Sequence, residues 1–318
     1  MKSTTKKVLL TFDVEGPPYR EDFINEEVLT VLYYVLKLLK KYDLKGLFFI
    51  TASVAEKMSC YPKIMELLRI HEIGYHSSSH SVKPCIFEYT DVKSYEKAIE
   101  TSIERETSCI DLFNGCIKGK GGIFSLRQNF PEKEIRSFRA PFLCWTPTHL
   151  EALRKLGLKF DFSSDISNSP VFHKGITFFP YPVVTDSIFS NFHVFFKKMW
   201  REEFIILLMH PSHAVFKVGE PHYEQYNNPF IPVEIKKCAH LRTKFRFREL
   251  ELLFLGLFLL QRKKLIQIKN SLEESEKSLD PKLVNVANVY EKSVWAPKNF
   301  FGYKPKYLLS HFHYFLKS

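Results

Sequence analysis

The stretch Val8-Leu9-Leu10-Thr11-Phe12-Asp13-Val14-Glu15-Gly16 constrains this chain more than any other. Its apolar start reads as a buried strand, and it ends in two acids and a glycine. Residues i and i+2 of a strand point the same way, so Asp13 and Glu15 share one face while Phe12 and Val14 share the other. Two carboxylates side by side at the end of a buried strand repel unless a cation or a proton reconciles them. Two readings are open at this point. One is a metal or acid/base site; the other is a solvated strand-to-loop turn whose acids happen to alternate.

Beyond it, strand and helix patterns alternate. Short apolar runs predict strands over 7–13, 45–51, 72–75, 135–139, 157–162, 203–209 and 265–269. Helical spacing of apolar residues predicts helices over 26–41, 62–70, 92–105, 147–156 and 246–264. Alternating β and α in 318 residues argues for an α/β fold, a parallel sheet or barrel around one large core. The chemistry of such folds sits at the C-terminal ends of the strands. Those ends are polar here: Asp13 and Glu15, then Gly74 to His80, then Arg139-Ala140-Pro141-Phe142, then Asp161 and Asp165, then His210-Pro211. The strand bodies are apolar, so the polar groups converge where an active site is expected.

His76 and His80 stand four apart. On one helical turn their rings lie side by side at a distance suited to one metal ion. With a strand-end acid they supply two nitrogens and one oxygen and leave positions for water, as a catalytic zinc site requires. Ser77, Ser78 and Ser79 can also cap a helix, which is compatible with ligation.

The net charge of +11 favours anionic partners such as phosphates, nucleic acid or lipid headgroups, or serves solubility alone. Six scattered cysteines without a CxxC pair fit a reducing compartment. The apolar stretch after Lys2, Lys6 and Lys7 is broken by Asp13, so no export signal is expected. The longest later apolar run, Leu252 to Leu260, is far short of the ~20 residues of a spanning helix. Flanked by Arg246, Arg248, Arg262, Lys263 and Lys264, it reads first as a buried helix and second as a membrane-surface helix. Residues 106–134 read as a long loop shaping the substrate groove. The aromatic and basic tail 281–318 is expected to pack on the barrel ahead of an oligomer or membrane contact. His213, His222, Cys238 and His240 fit no metal-ligand spacing.

The ordered motifs Thr-Phe-Asp-Val-Glu-Gly, His-Ser-Ser-Ser-His, Arg-Ala-Pro-Phe and Leu-Met-His-Pro resemble those of the polysaccharide deacetylases of the NodB-homology type, carbohydrate esterase family 4. The resemblance spans roughly residues 6–275. It implies a distorted (β/α) barrel as the single main domain, here 1–275, with a C-terminal extension over 276–318. It also implies metal-dependent removal of acetyl groups from N-acetylated, sometimes O-acetylated, sugars. Asp13 would be the general base, His76 and His80 metal ligands, and Arg139 the holder of the base. His210 would be the general acid, tuned by Asp161 or its competitor Asp165. Pro141 and Phe142 would lie at the substrate, with a backbone N–H near Phe142 facing the oxyanion.

The commonest family pattern has two adjacent aspartates, and Val14 stands where the second would be. The chain resembles the subset that spaces its acids by one residue, which makes Glu15 the third ligand. The expectation is a cytoplasmic hydrolase using a divalent metal, Zn²⁺ by its donor set. Its substrate would be an N-acylated sugar, polysaccharide or lipid-linked saccharide, with no nucleic acid and with peripheral membrane contact open. Two alternatives stand beside it. One is an allantoinase-like amide hydrolase acting on a small non-sugar substrate; the other, which Val14 supports, is an inactive carbohydrate-binding barrel.

Overall fold

The computed structural model describes residues 5–15, 26–80, 82–185, 194–195, 197–199, 201–216, 237–238, 240–269, 272 and 277–318. Gly16 and His222 lie outside them. Strand β1 (Lys6–Val14) is the axis of a ten-stranded sheet. With it come β2 (Leu47–Ile50), β3 (Glu72–Tyr75), β6 (Ser137–Phe138), β7 (Phe160–Asp161), β8 (Val171–His173), β9 (Ile176–Phe178), β10 (Val183–Val184), β11 (Phe204–Met209) and β12 (Ile266–Ile268). The order is β10-β11-β1-β2-β3-β6-β7-β9-β8, with β12 also on β1. All pairs are parallel except β8 with β9. β1 pairs β11 along one edge and divides the other between β12 (Lys6–Val8) and β2 (Thr11–Val14). The result is a curled half-barrel of the (β/α) type. A smaller antiparallel hairpin joins β4 (Ser108–Ile110) to β5 (Ile117–Lys120).

The two faces of β1 follow its alternation. Val8, Leu10, Phe12 and Val14 belong to the main core, packed against helices. Leu9 belongs to an inner cluster with Leu47, Phe49, Phe160, Phe162, Phe179, Phe204 and Ile206. Both faces are therefore buried, as parallel strands require. Thr11 and Asp13 continue the Leu9 face, so the apolar filling of the half-barrel gives way to polar groups at its C-terminal end.

The helices are α1 (Glu26–Lys41), α2 (Ala52–Met58), α3 (Pro62–Leu68), α4 (Ile86–Tyr89), α5 (Tyr95–Glu106), α6 (Ile123–Asn129), α7 (Pro147–Lys155), α8 (His240–Arg262), α9 (Val286–Ser293), α10 (Trp295–Phe300) and α11 (Leu308–Lys317). α1 shows why they form: Val28, Leu29, Leu32, Val35, Leu36 and Leu39 make one buried face. Glu26 and Glu27 begin it and Lys40 and Lys41 end it, matching the helix dipole.

Three expectations are corrected. The strands over 135–139 and 157–162 shrink to two residues each, because Pro141 has no N–H to continue the ladder and Ser163 and Ser164 turn back to the Asp161 carboxylate. Residues 106–134 are not one loop: they hold the end of α5, the β4–β5 hairpin and α6. α8 is not simply a buried helix. Phe254 and Leu257 are buried, but Phe245, Leu252 and Leu259 are 52%, 62% and 48% exposed. No helix among the described residues is long and apolar enough to cross a membrane.

The tail shares the core of the sheet. Val286, Val289, Phe301, Leu308, Phe312, Phe315 and Leu316 join the main cluster, and Trp145 packs edge-on against Phe312 with centroids 4.8 Å apart. Asp91 pins the start of α11, accepting from Tyr303 Oη and from the backbone N–H groups of Lys306, Tyr307 and Leu308. Those amides are the orphan donors of a helix N-terminus. Asp91→Ala should therefore cost about 1–3 kcal/mol in urea denaturation. It should also open the chain after residue 280 to limited proteolysis before the barrel is cut; unchanged cleavage would remove Asp91 as the anchor.

Candidate active site

Arg139 organises the polar end of the half-barrel. Its guanidinium is fully buried. Nη1 donates to Asp13 Oδ1 at 2.7 Å, Nη2 to Thr11 Oγ1 at 3.0 Å, and Nε to the Phe162 carbonyl at 3.3 Å. The cation also lies 4.3 Å from the centroid of the Phe49 ring. A buried cation with one carboxylate, two neutral oxygens and an aromatic face is satisfied. Asp13 is thereby oriented. Its Oδ1 is held, and its Oδ2 lies 3.9 Å from His76 Nε2 and 3.6 Å from His210 Nε2. Thr11 is absent from the sequence-derived site, yet it precedes Asp13 by two on the same face, and alternation was the signal for it.

Glu15, His76 and His80 come together as a buried group. Glu15 Oε2 lies 3.0 Å from His76 Nε2 and 2.7 Å from His80 Nε2. Among the described residues these three form the one group of His, Cys, Asp and Glu with donors close enough to share a metal ion. His213, Cys238 and His240 are not part of it. Burial pushes the Glu15 carboxyl up, but the His80 charge and the hydrogen bonds from His76 and His80 bring it well below its ordinary value.

The donor set fits a cation for a specific reason. His76 Nδ1 lies 2.7 Å from the Arg139 carbonyl, which can only accept, so Nδ1 carries the proton. Nε2, which faces the Glu15 carboxylate, then either carries a second proton and donates to it or turns a lone pair toward it. Two lone pairs at 3.0 Å require a positive centre between them, a proton or a metal ion. Metal-binding histidines are commonly fixed in this way, the other ring nitrogen donating to a backbone carbonyl or a carboxylate. Val14 is in the main core and cannot coordinate.

The expected helical turn from His76 to His80 is not there. Ser77 and His80 have φ of 68° and 54°, left-handed values that break a helical ladder. The rings still meet, with centroids 5.1 Å apart, because the loop folds back on itself through His80 N–H to Ser77 Oγ at 3.0 Å. Ser77 and Ser78 therefore cap no helix. Phe142, also left-handed at φ 54°, sits in the turn Pro141–Leu143, and its ring lies 5.1 Å from His80 and 5.6 Å from Phe301 of the C-terminal tail. Asp161 is buried. Its Oδ2 accepts from Ser163 and Ser164 N–H, and burial raises its carboxyl despite them. Asp165 pairs with Lys292 at the surface.

A second polar cluster lies behind the histidine loop, centred on Glu106 at the end of α5. Glu106 Oε2 accepts from Tyr75 Oη at 2.5 Å and from Ser78 N–H at 3.0 Å; Oε1 accepts from Tyr89 Oη at 3.0 Å and His149 Nε2 at 2.9 Å. Burial pushes its carboxyl up, but the hydrogen bond and charge of His149 and the two tyrosine hydroxyls hold it below its ordinary value of 4.5. Gly122 belongs to this contact: at φ +60°, a Cβ there would stand 2.2 Å from Glu106 O and 2.5 Å from Ser78 Oγ. No sequence pattern marks the cluster, since its members come from β3, α4, α5 and α7.

Glu106→Gln leaves donors facing donors in a buried site and should cost about 3–5 kcal/mol in urea unfolding at neutral pH. A carboxyl whose folded pKa is lowered stabilises fully above its unfolded value and loses that contribution as pH falls through the folded one. The gap between wild type and variant should therefore be widest at neutral pH and narrow below pH 4.5. A gap that is the same at all pH values would mean Glu106 is not a structural carboxylate.

With this geometry in hand, residues 1–115 of the chain match the family described as Polysaccharide deacetylase. No curated protein matches the chain. Similar solved structures include a CE4 family pseudoenzyme from Bacillus anthracis, at 15% identity and TM-score 0.36 over 66% of this chain and 56% of that one. A family 4 carbohydrate esterase from Bacillus anthracis aligns at 16% identity and TM-score 0.39 over 84% of this chain and 81% of that one. A 4-alpha-glucanotransferase from Thermococcus litoralis aligns at 11% identity and TM-score 0.52 over 84% of this chain and 39% of that one, a likeness of fold alone. The chain thus spans a little over half the length of the pseudoenzyme. The stretch 1–115 that matches this family carries Asp13, Glu15, His76 and His80.

Proposed function

We propose that this protein is a metal-dependent hydrolase that removes an N-acyl group from a carbohydrate. The observation that carries it is the convergence of His76 Nε2 and His80 Nε2 on the Glu15 carboxylate, at 3.0 and 2.7 Å, beside an Asp13 clamped by Arg139. Glu15, His76 and His80 would hold the metal. A divalent cation there, Zn²⁺ by its two nitrogens and one oxygen, supplies Lewis acidity toward an acyl carbonyl oxygen and a bound water.

The chain's own residues do the rest. Asp13 takes the proton of the attacking water at Oδ2, since Oδ1 is committed to Arg139. Arg139 fixes the direction of that carboxylate and balances its charge. His210 follows β11, and its Nε2 reaches the same Oδ2. An amine leaves an acyl carbon readily only when protonated, and in this reading His210 delivers that proton. Asp161 is the assigned acid for tuning His210, ahead of Asp165, whose carboxylate is engaged by Lys292. Pro141 and Phe142 close one side of the site over His80, with the backbone near Phe142 assigned to the oxyanion.

Six free cysteines support a reducing compartment, and a net charge of +11 supports a phosphorylated or lipid-linked sugar over an external polymer. The site divides its two acids by role. Asp13→Asn should keep metal content and lower acetate release by about 10²–10⁴-fold. Glu15→Gln should lose metal first, seen as a lowered zinc stoichiometry in the purified protein and weaker binding by calorimetry. Acetate release should be compared on N-acetylglucosamine oligomers, lipid-linked N-acetylated sugars and a small non-sugar amide. A protein that purifies without metal and is indifferent to His76→Ala would be a binding barrel instead.

A further inference from the structure

We propose that Phe301 is a positioning residue for the active site: from the C-terminal segment it holds Phe142, and the turn that carries Phe142, in place over His80. This rests on the deacetylase reading, which assigns the backbone of that turn to the oxyanion.

The turn Pro141–Leu143 is strained. Phe142 and Leu143 stand in succession at φ of 54° and 57°, left-handed values that crowd a Cβ against the backbone. The turn is closed by its own hydrogen bonds. Leu143 N–H donates to the Ala140 carbonyl at 2.9 Å, Cys144 N–H to the Pro141 carbonyl at 3.0 Å, and Cys144 Sγ to the Phe142 carbonyl at 3.3 Å. Bonds within a turn move with it, so they do not fix it against the rest of the chain, and such strain persists only where outside contacts over-determine it. Ahead of the turn, Ala140 N–H donates to Ser163 Oγ at 2.7 Å. Three further contacts come from the C-terminal segment. The Ser293 hydroxyl donates to the Trp145 carbonyl, Ala296 N–H is directed at the Cys144 sulfur, and the Phe301 ring meets the Phe142 ring edge-on with centroids 5.6 Å apart. Phe142 is thus held between Phe301 and His80, whose ring centroid is 5.1 Å away.

Phe301 is itself firmly placed. It caps α10, with its N–H 3.3 Å from the Pro297 carbonyl. Gly302, at φ 63°, then reverses the chain so that Tyr303 N–H reaches the same carbonyl at 2.9 Å, the left-handed glycine ending common to helices. Tyr303 Oη donates to Asp91, and Phe87 of α4 packs on both rings, 5.3 Å from Phe301 and 5.4 Å from Tyr303. A ring backed by α4 and meeting Phe142 edge-on limits how far the Phe142 ring can swing. Leucine at 301 keeps most of the burial and loses the edge contact.

Cys144 reports on the turn. It is buried, and burial pushes its thiol up to about 12, so it alkylates slowly while the turn is packed. Cys85, buried at the start of α4, reports on general opening. The test is iodoacetamide labelling of the full chain, read peptide by peptide in a mass spectrometer. It compares wild type with Phe301→Leu and with Phe130→Leu, which removes a fully buried ring at the end of α6. In Phe301→Leu the rate at Cys144 relative to Cys85 should rise about tenfold. In Phe130→Leu that ratio should stay as in wild type. On an N-acetylated sugar, Phe301→Leu should lower kcat and kcat/KM together by about 10–10²-fold at unchanged metal content, while Phe130→Leu turns over as wild type does. An unchanged labelling ratio in Phe301→Leu would overturn the proposal, and so would faster labelling of Cys144 with normal turnover. A wild type that turns over no sugar, with the labelling as expected, sinks the deacetylase reading instead and leaves Phe301 as the residue that holds the turn.

Discussion

The buried guanidinium of Arg139 is the interaction on which the site depends. It ties β1 through Asp13 and Thr11, β2 through the face of Phe49, and the end of β7 through the Phe162 carbonyl. Its own backbone accepts from Nδ1 of His76 and donates to the carbonyl of Tyr75. One residue therefore sets the direction of the Asp13 carboxylate and the tautomer of His76. Removing it would leave Asp13 as an unpaired buried charge, a loss of several kcal/mol in a chain whose net stability is about 5–15 kcal/mol.

The histidine loop is the costly part of this arrangement. Non-glycine residues at positive φ cost about 1–2 kcal/mol each, and the loop carries two, Ser77 and His80. That strain persists only if surrounding contacts over-determine it. Glu106 supplies them from behind, gripping Tyr75 at the loop's root and Ser78 at its middle, while Phe142 covers His80 from the front. The imidazole pair and the buried carboxylate behind it are thus two halves of one mechanical problem: holding two imidazoles toward one carboxylate without a helix to do it.

What was legible in the sequence was whatever follows a period or ends a strand. Alternation along β1 separated Asp13 and Glu15 from Val14, and the polar strand ends at Arg139 and His210 come within reach of Asp13. What was hidden is set by backbone conformation and long-range packing. The spacing of His76 and His80 mimics a helical turn, and nothing local announces that Ser77 will turn left-handed. Glu106 read as the first residue of a long loop, and its partners at Tyr75, Tyr89 and His149 are known only once α5 and α7 pack together. Periodicity also fails for Leu252 to Leu260, because a run that is apolar on every side does not say which side is covered.

The same reasoning gives the tail a place in the site. Phe301 reaches the Phe142 ring, which lies on His80, so a segment well after the last sheet strand forms the outer layer over that imidazole. Asp91 fixes that segment from a loop between α4 and α5, the helix that ends in Glu106. Covers and supports of the histidine loop therefore converge on one stretch of chain, residues 86–106. A change in that stretch can alter His76 and His80 from both sides without touching either of them. The pair of acids that opens the chain is chemically informative, but it is this later stretch that decides whether Glu15 has two imidazoles to face.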